Sequence, residues 1–368
     1  MSRATFSLYV AGHFLKNMVF VFVLFVFLIV AVDMIELSRD LSSVPEAGFS
    51  DVATIAMLRA PSFAENILPF ATLFGAAGSL ILLNRKLELV VARASGVSVW
   101  QFLMPMVVAA AIVGVLASLV YNPLSLAGVS ASRAAESGAF GKVRGGFASR
   151  NDKFWLRVGR PDGGAVIRAR VAENLGTKLT GVTVYTFGPD NIAEHRFDAA
   201  TAEFQTDSAL NNSFLLRDVI ETIPGEKTRQ MDQLRLPVSI DRSQLQANTT
   251  KPTETGFWDL VQRANESIQA GRSPLPFYTQ YQSLIAQPFL FATMVLLAAT
   301  FSLRFARFGQ SGKAILGGIL AGFVLYVITK LVLTFGSNGL VPPPVAAWTP
   351  AFVAALMSVT VLLYQEDG

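Results

Sequence analysis

The chain has 368 residues, of which 52% are hydrophobic and 15% are charged, and its net charge is +4. This composition, with polar residues gathered between about 145 and 280, excludes an ordinary soluble protein and indicates an integral membrane protein with a soluble insert. The absence of cysteine excludes disulfides and thiolate metal sites, the two distant histidines disfavour any metal centre, and the mild basic charge does not indicate nucleic-acid binding.

Six apolar segments follow one another along the chain, each long enough to cross the ~30 Å hydrocarbon layer of a membrane as a helix. Pro61 precedes the second segment, and Asn122-Pro123 should end or bend the helix formed by the third. The predicted spans are residues 14–32, 67–83, 102–120, 284–303, 314–335 and 345–363.

Loop charges predict the orientation, because lysine and arginine collect in short cytoplasmic loops. Basic residues cluster near the N-terminus, at 85–93 and at 304–313, whereas the segment after the first span is rich in aspartate and glutamate. We therefore expect a multi-pass membrane protein with both termini in the cytoplasm and the large insert outside, which is the periplasm of a Gram-negative cell.

A short polar stretch, residues 84–98, separates the second and third spans. Gly96 provides a plausible stop for a helix in this stretch. Such a helix would carry an apolar face made of Leu87, Val90, Val91 and Ala94. It is suited to dock against another protein, and the alternative is a loop helix that rests on lipid headgroups.

The insert, residues 145–250, changes to the short alternating segments and regular turns that are typical of β-strands. The pattern predicts an all-β, jelly-roll-like or sandwich domain whose edge strands another sheet could extend. Residues 257–268 then have helical spacing. The predicted plan is three spans in residues 1–144, a periplasmic β-domain, and a short helix with three spans in residues 251–368.

The sequence contains no convincing catalytic constellation. Gly309–Lys313 lacks the spacing of a phosphate-binding loop, so we expect no ATPase site on this chain. Lys330, in the outer half of the fifth span, is either a snorkelling anchor or a contact for an anionic amphiphile. Arg133 and Arg144, after the third span, could join such a contact.

Two other classes of function remain open from the residues alone. An ion-coupled carrier is disfavoured because the spans show neither paired acids nor an internal repeat. A membrane scaffold that transports nothing and docks envelope proteins through its β-domain is the other alternative.

The layout and several local stretches resemble the LptF/LptG permeases of the bacterial lipopolysaccharide exporter. The resemblance is carried by residues 67–75, by Glu88–Gly96 with its acidic start and Ser-Gly end, and by Gln287-Pro288. Within the family the chain is more similar to the LptG branch, because of its Gly339–Pro344 stretch and because residues 304–313 lack the pattern associated with LptF.

The resemblance implies that the chain is one half of the membrane part of an ABC transporter. Its partners would be an LptF-like sister permease and an LptB-like ATPase dimer, which would hold ATP and Mg while this chain has no cofactor. The 84–98 stretch would be the coupling helix, with Glu88 as the principal contact, Arg85 and Arg93 as polar neighbours, and Leu87 and Val91 on the apolar face.

The resemblance also implies a route for the substrate. Lipopolysaccharide would enter a cavity from the outer leaflet and pass into the β-domain, which would join LptC-like and LptA-like jelly rolls edge to edge. The candidate substrate-binding residues at the cavity rim are Lys330, Arg133, Arg144 and Tyr326.

Overall fold

A computed structural model describes residues 3–41, 48–140, 154–160, 163–173, 176–188, 193–206, 212–223, 228–240, 251–269, 273–306 and 311–367. Its helices and strands divide into a helical bundle and one inserted sheet. The helices are α1 (Arg3–Leu41), α2 (Phe49–Arg85), α3 (Glu88–Ala94), α4 (Val99–Leu116), α5 (Asn122–Phe140), α6 (Leu260–Gln269), α7 (Leu275–Ala306), α8 (Ser311–Ser337) and α9 (Pro343–Asp367).

Six helical segments in the described part of the chain are long and apolar enough to cross a membrane. They are α1, α2, the continuous α4–α5 segment, α7, α8 and α9, and they contain the six predicted spans. The helices extend beyond the predicted apolar cores; α2, for example, has 37 residues and spans roughly 55 Å at about 1.5 Å per residue.

Of the two predicted effects of Asn122-Pro123, an end or a bend of the helix, the structure contradicts the end, because the helix continues past both residues. A π-helical turn, Ala117–Tyr121, joins α4 directly to α5. The wider turn accommodates the proline, which lacks a backbone N–H, without stopping the helix. Pro61 precedes the predicted apolar span, 67–83, and lies inside α2, because that helix begins at Phe49.

Glycines set the closest approaches between the spanning helices. A Cβ on Gly75 in α2 would lie 2.5 Å from the Cα of Met18 in α1, and one on Gly114 in α4 would lie 2.5 Å from the Cα of Pro288 in α7. Close backbone contact of this kind is how helices associate in lipid, where apolar burial alone gives little preference for protein over lipid neighbours. The predicted Gln287-Pro288 motif therefore lies at a helix crossing.

The insert is one antiparallel sheet of six strands in which each strand pairs with its neighbour in sequence. The strands are β1 (Phe154–Arg160), β2 (Gly163–Glu173), β3 (Lys178–Phe187), β4 (Ala193–Gln205), β5 (Ser213–Thr222) and β6 (Arg229–Pro237). All six contribute buried apolar side chains to one cluster, which is the core of the insert. Strands β1 and β6 form its edges.

These features confirm the predicted fold class: six membrane-competent helices, three before and three after an inserted all-β unit. Because successive spans alternate in direction, α3, the end of α7 and the start of α8 lie at one end of the bundle, and the sheet lies at the other. The predicted domain boundaries at residues 145 and 250 lie outside the described residues and stay predictions.

Candidate docking helix and polar cavity

The stretch between the second and third spans contains a shorter helix than residues 84–98 would allow, because α3 covers only Glu88–Ala94. The chain turns sharply at Leu87, whose φ of 61° is the left-handed region and is costly for a leucine. At the other end, the Gly96 N–H bonds the Arg93 carbonyl and the Val97 N–H bonds the Ala92 carbonyl. Gly96, at φ 85°, thus ends the helix as predicted.

The apolar face predicted for this helix is its exposed face. Leu89, 4% exposed, packs into the core of the bundle, and Ala92 is also buried. Val91 on the opposite side is 66% exposed. We call the exposed set the docking face; it consists of Leu87, Val90, Val91 and Ala94. A small apolar surface held outward on a rigid support is suited to contact another protein.

Glu88 is half-buried at the edge of the docking face, and it has a partner within the chain. The hydroxyl of Tyr9 in α1 donates a hydrogen bond to Glu88 Oε2 over 3.0 Å. Arg85, at the end of α2, and Arg93, in the last turn of α3, are both exposed. The structure therefore brings the five predicted coupling residues together and adds Tyr9, which the sequence reasoning missed.

A cavity of about 1040 Å³ lies within the bundle, among α1, α2, α5, α7, α8 and α9. Its lining mixes apolar side chains with ionisable ones: the carboxylates of Asp33, Glu36, Glu65 and Glu254 and the cations Arg59 and Lys330. Asp33 Oδ1 is 3.4 Å from Arg59 Nη1. The described part of this lining is thus richer in carboxylates than in cations.

Lys330 and Tyr326 both line this cavity, as the prediction of a shared site requires. Lys330 Nζ lies 5.5 Å from the centre of the Tyr326 ring and donates a hydrogen bond to Asn66 Oδ1 over 3.4 Å. Arg133 is on α5, next to the lining residue Ser132, but its side chain lies outside the described residues, as does the whole of Arg144.

Glu65, treated in the sequence only as a loop charge, joins helices at the end of the bundle nearer the sheet. Its Oε1 accepts from Asn122 Nδ2 over 2.9 Å, and its Oε2 accepts from the Ser125 hydroxyl over 3.0 Å. Asn122 Oδ1 in turn accepts from the Phe257 N–H over 3.1 Å. One side chain at the π-helical turn thereby joins α2, α5 and the segment that leads from the sheet to α6.

Replacing Asn122 by alanine should destabilise the bundle, because it removes both bonds of that side chain. A buried polar group left without its partner costs about 1–3 kcal/mol. We expect a lower midpoint of thermal unfolding for Asn122→Ala in detergent. Ser130→Ala, at an exposed position on the same helix, is the control and should leave the midpoint unchanged. Equal midpoints for both variants and the parent would contradict the role of Asn122.

A six-span bundle with a sheet at one end, an exposed docking helix at the other and a polar cavity between them has the architecture of a membrane permease. The sequence matches the family "Lipopolysaccharide export system permease LptF/LptG" over residues 8–364. The chain therefore belongs to the LptF/LptG family of lipopolysaccharide export permeases and is a multi-pass inner-membrane protein.

Curated relatives agree with this family membership. The chain is 26% identical over 323 residues to the lipopolysaccharide export system permease protein LptG of Escherichia coli strain K12, covering 83% of this chain and 84% of the relative. It is 24% identical over 288 residues to the protein of that name from Haemophilus influenzae, covering 75% of each.

Proposed function

We propose that this chain is the LptG-type permease of an ABC exporter that lifts lipopolysaccharide from the outer leaflet of the inner membrane. It would pair with an LptF-like sister, stand on an LptB-like ATPase dimer that holds ATP and Mg, and pass its substrate to LptC-like and LptA-like proteins. The preference for LptG is supported by the names of the relatives cited above and by the Gly339–Pro344 stretch.

The observation that carries the proposal is the docking face on α3. Apolar side chains stay outward at the end of the bundle opposite the sheet, while the other side of the helix is held by Leu89 in the core. The basic residues Arg85 and Arg93, close to it in the sequence, support a cytoplasmic location for this end, because lysine and arginine collect in cytoplasmic loops. An ATPase in the cytoplasm could transmit its motion to the permease through a contact with this docking face.

The cavity supports a binding site for the amphiphilic substrate. The bundle covers α1 and α8 least, with 11% and 17% of their most apolar windows buried, so their apolar faces are available to acyl chains or to a sister permease. Lys330 is a basic residue at the cavity that can meet a phosphate, because the other described cation there, Arg59, already pairs with Asp33. Arg133 and Arg144 are proposed to join it. At the periplasmic end, the edge strands β1 and β6 can pair with the next jelly roll.

Replacing Lys330 by alanine should reduce binding of lipopolysaccharide. A charge-assisted bond to a phosphate contributes about 1.5–3 kcal/mol, so we expect photo-crosslinking between the permease complex and lipopolysaccharide to fall about tenfold. Lys330→Arg keeps the charge and should retain most of the signal. Unchanged crosslinking and transport in Lys330→Ala would make Lys330 a snorkelling anchor.

The test of the whole proposal is gentle purification of the chain from its native membrane, followed by mass spectrometry of the companions. We expect a sister permease, a small ATPase and a glycolipid that contains lipid A. Recovery of the chain with only envelope proteins bound to its sheet would favour the scaffold. Transport that needs no ATPase and responds to a proton gradient would instead indicate an ion-coupled carrier.

A further inference from the structure

Helix α6, which links the sheet to the fourth span, has two apolar sides, and the protein covers only one of them. Leu260 and Ala264 are fully buried in a cluster with Phe277 and Leu284 of α7. Val261 and Ile268 are exposed, the latter by 53%, and Trp258 in the turn before the helix is 68% exposed. A large apolar surface that includes a tryptophan is costly to leave in water.

The remaining side of α6 is polar. At about 100° per residue, Val261 and Ile268 lie beside the buried side, whereas Gln262 and Glu266 lie away from it. Glu266 accepts hydrogen bonds from Gln262 over 3.1 Å and from Arg263 over 2.9 Å. The helix therefore has separate surfaces for the bundle, for an apolar neighbour and for water.

The packing of α6 places it at the level of the lipid headgroups. The span in α7, Leu275–Leu303, has 29 residues and measures roughly 43 Å at about 1.5 Å per residue, which exceeds the ~30 Å hydrocarbon layer. The strongly apolar part of this span begins at Leu284. Its first turns, residues 275–283, are therefore the part that extends beyond the hydrocarbon layer. The α6 segment contacts these turns, where the ring of Phe257 stacks on that of Tyr281.

Other aromatic residues lie at the same level. Trp348, near the start of α9, donates a hydrogen bond from Nε1 to Gln282 of α7 over 3.4 Å. Tryptophan and tyrosine concentrate where a membrane meets water, because their rings are apolar and their N–H or O–H groups are polar. The aromatic residues around the first turns of α7 are thus of the kind that lies at a membrane surface.

We propose that α6 is an interfacial helix, with Trp258, Val261 and Ile268 inserted among the lipids of the leaflet on the side of the sheet. The membrane surface then holds the connection between the sheet and the fourth span. This surface follows from the helix itself and does not depend on the choice between LptG and LptF.

Site-directed spin labelling can test this surface cleanly, because the chain contains no cysteine. The full-length variants Val261→Cys, Ile268→Cys, Gln262→Cys and Glu266→Cys each receive a nitroxide and are placed in bilayers of phosphatidylethanolamine and phosphatidylglycerol. Collision of the label with oxygen, which concentrates in lipid, is compared with collision with a water-soluble nickel chelate. The two polar positions are the matched controls.

We expect the ratio of oxygen to nickel collisions to be several-fold higher at positions 261 and 268 than at 262 and 266. An equally low ratio at all four positions would place α6 in water and overturn the proposal. Labels at 261 and 268 that neither reagent reaches would show that another protein surface covers this side, which also overturns it. Trp258 fluorescence provides a second measurement, in which brominated lipids should quench it.

Discussion

Glu88→Lys is expected to separate the permease from its ATPase while leaving the bundle and the sheet folded. The substitution reverses the charge at the edge of the docking face, where the proposed contact with the partner is made by a carboxylate, and adds a cation to a segment that already carries Arg85 and Arg93. Placing like charges together at an interface costs several kcal/mol, and 1.4 kcal/mol already weakens binding tenfold. We expect the co-purified ATPase to fall by about tenfold or more, with ATPase stimulation lost in parallel.

Tyr9→Phe is the matched control, because it removes the hydroxyl that bonds Glu88 and changes nothing else in that pair. If Glu88 acts through the partner, Tyr9→Phe should retain most of the ATPase. If Glu88 acts only by holding α3 against α1, the two variants should lose the ATPase to the same extent. Normal complex yield and normal ATPase stimulation in Glu88→Lys would rule out a coupling role.

Gly114→Leu should prevent the bundle from assembling, and this is the largest effect that we expect on folding. Any side chain at this position meets the backbone of α7 at Pro288, and backbone atoms cannot swing aside as a flexible side chain can. Overpacking of a tight core costs typically about 1–3 kcal/mol for small insertions, and a whole leucine requires α4 and α7 to separate. We expect little monodisperse protein from size-exclusion chromatography in detergent.

Gly78→Leu provides a control of the same chemistry in another spanning helix, α2. A Cβ at Gly78 meets nothing within 4 Å, so the added side chain should be tolerated. Yields that fall equally in both variants would mean that leucine harms insertion in general. A normal yield and a normal midpoint of thermal unfolding for Gly114→Leu would show that the α4–α7 crossing has room for a side chain, and would contradict the prediction.

The pattern of apolar and polar residues along the sequence was sufficient to predict the spanning helices and the strands. Long apolar runs indicate membrane spans, and alternating residues indicate half-buried strands. The lengths of the helices were harder to predict, since α1 and α2 continue into polar sequence beyond the hydrocarbon layer. The continuation of the third span past Asn122-Pro123 was not predicted, for a related reason. A local rule for proline cannot anticipate a π-helical turn that is held in place by Glu65 and Phe257, residues far away in the chain.

The sequence by itself determined the membrane class, the six spans, the all-β insert and the short helix with an apolar side at residues 84–98. These features depend on hydrophobic periodicity and turn residues, which act over a few neighbouring positions. Only the tertiary structure decided that this apolar side is the exposed one, that Tyr9 bonds Glu88, and that Lys330 shares a cavity with four carboxylates. Each of these joins residues from different helices, and helix packing, rather than local sequence, sets such contacts.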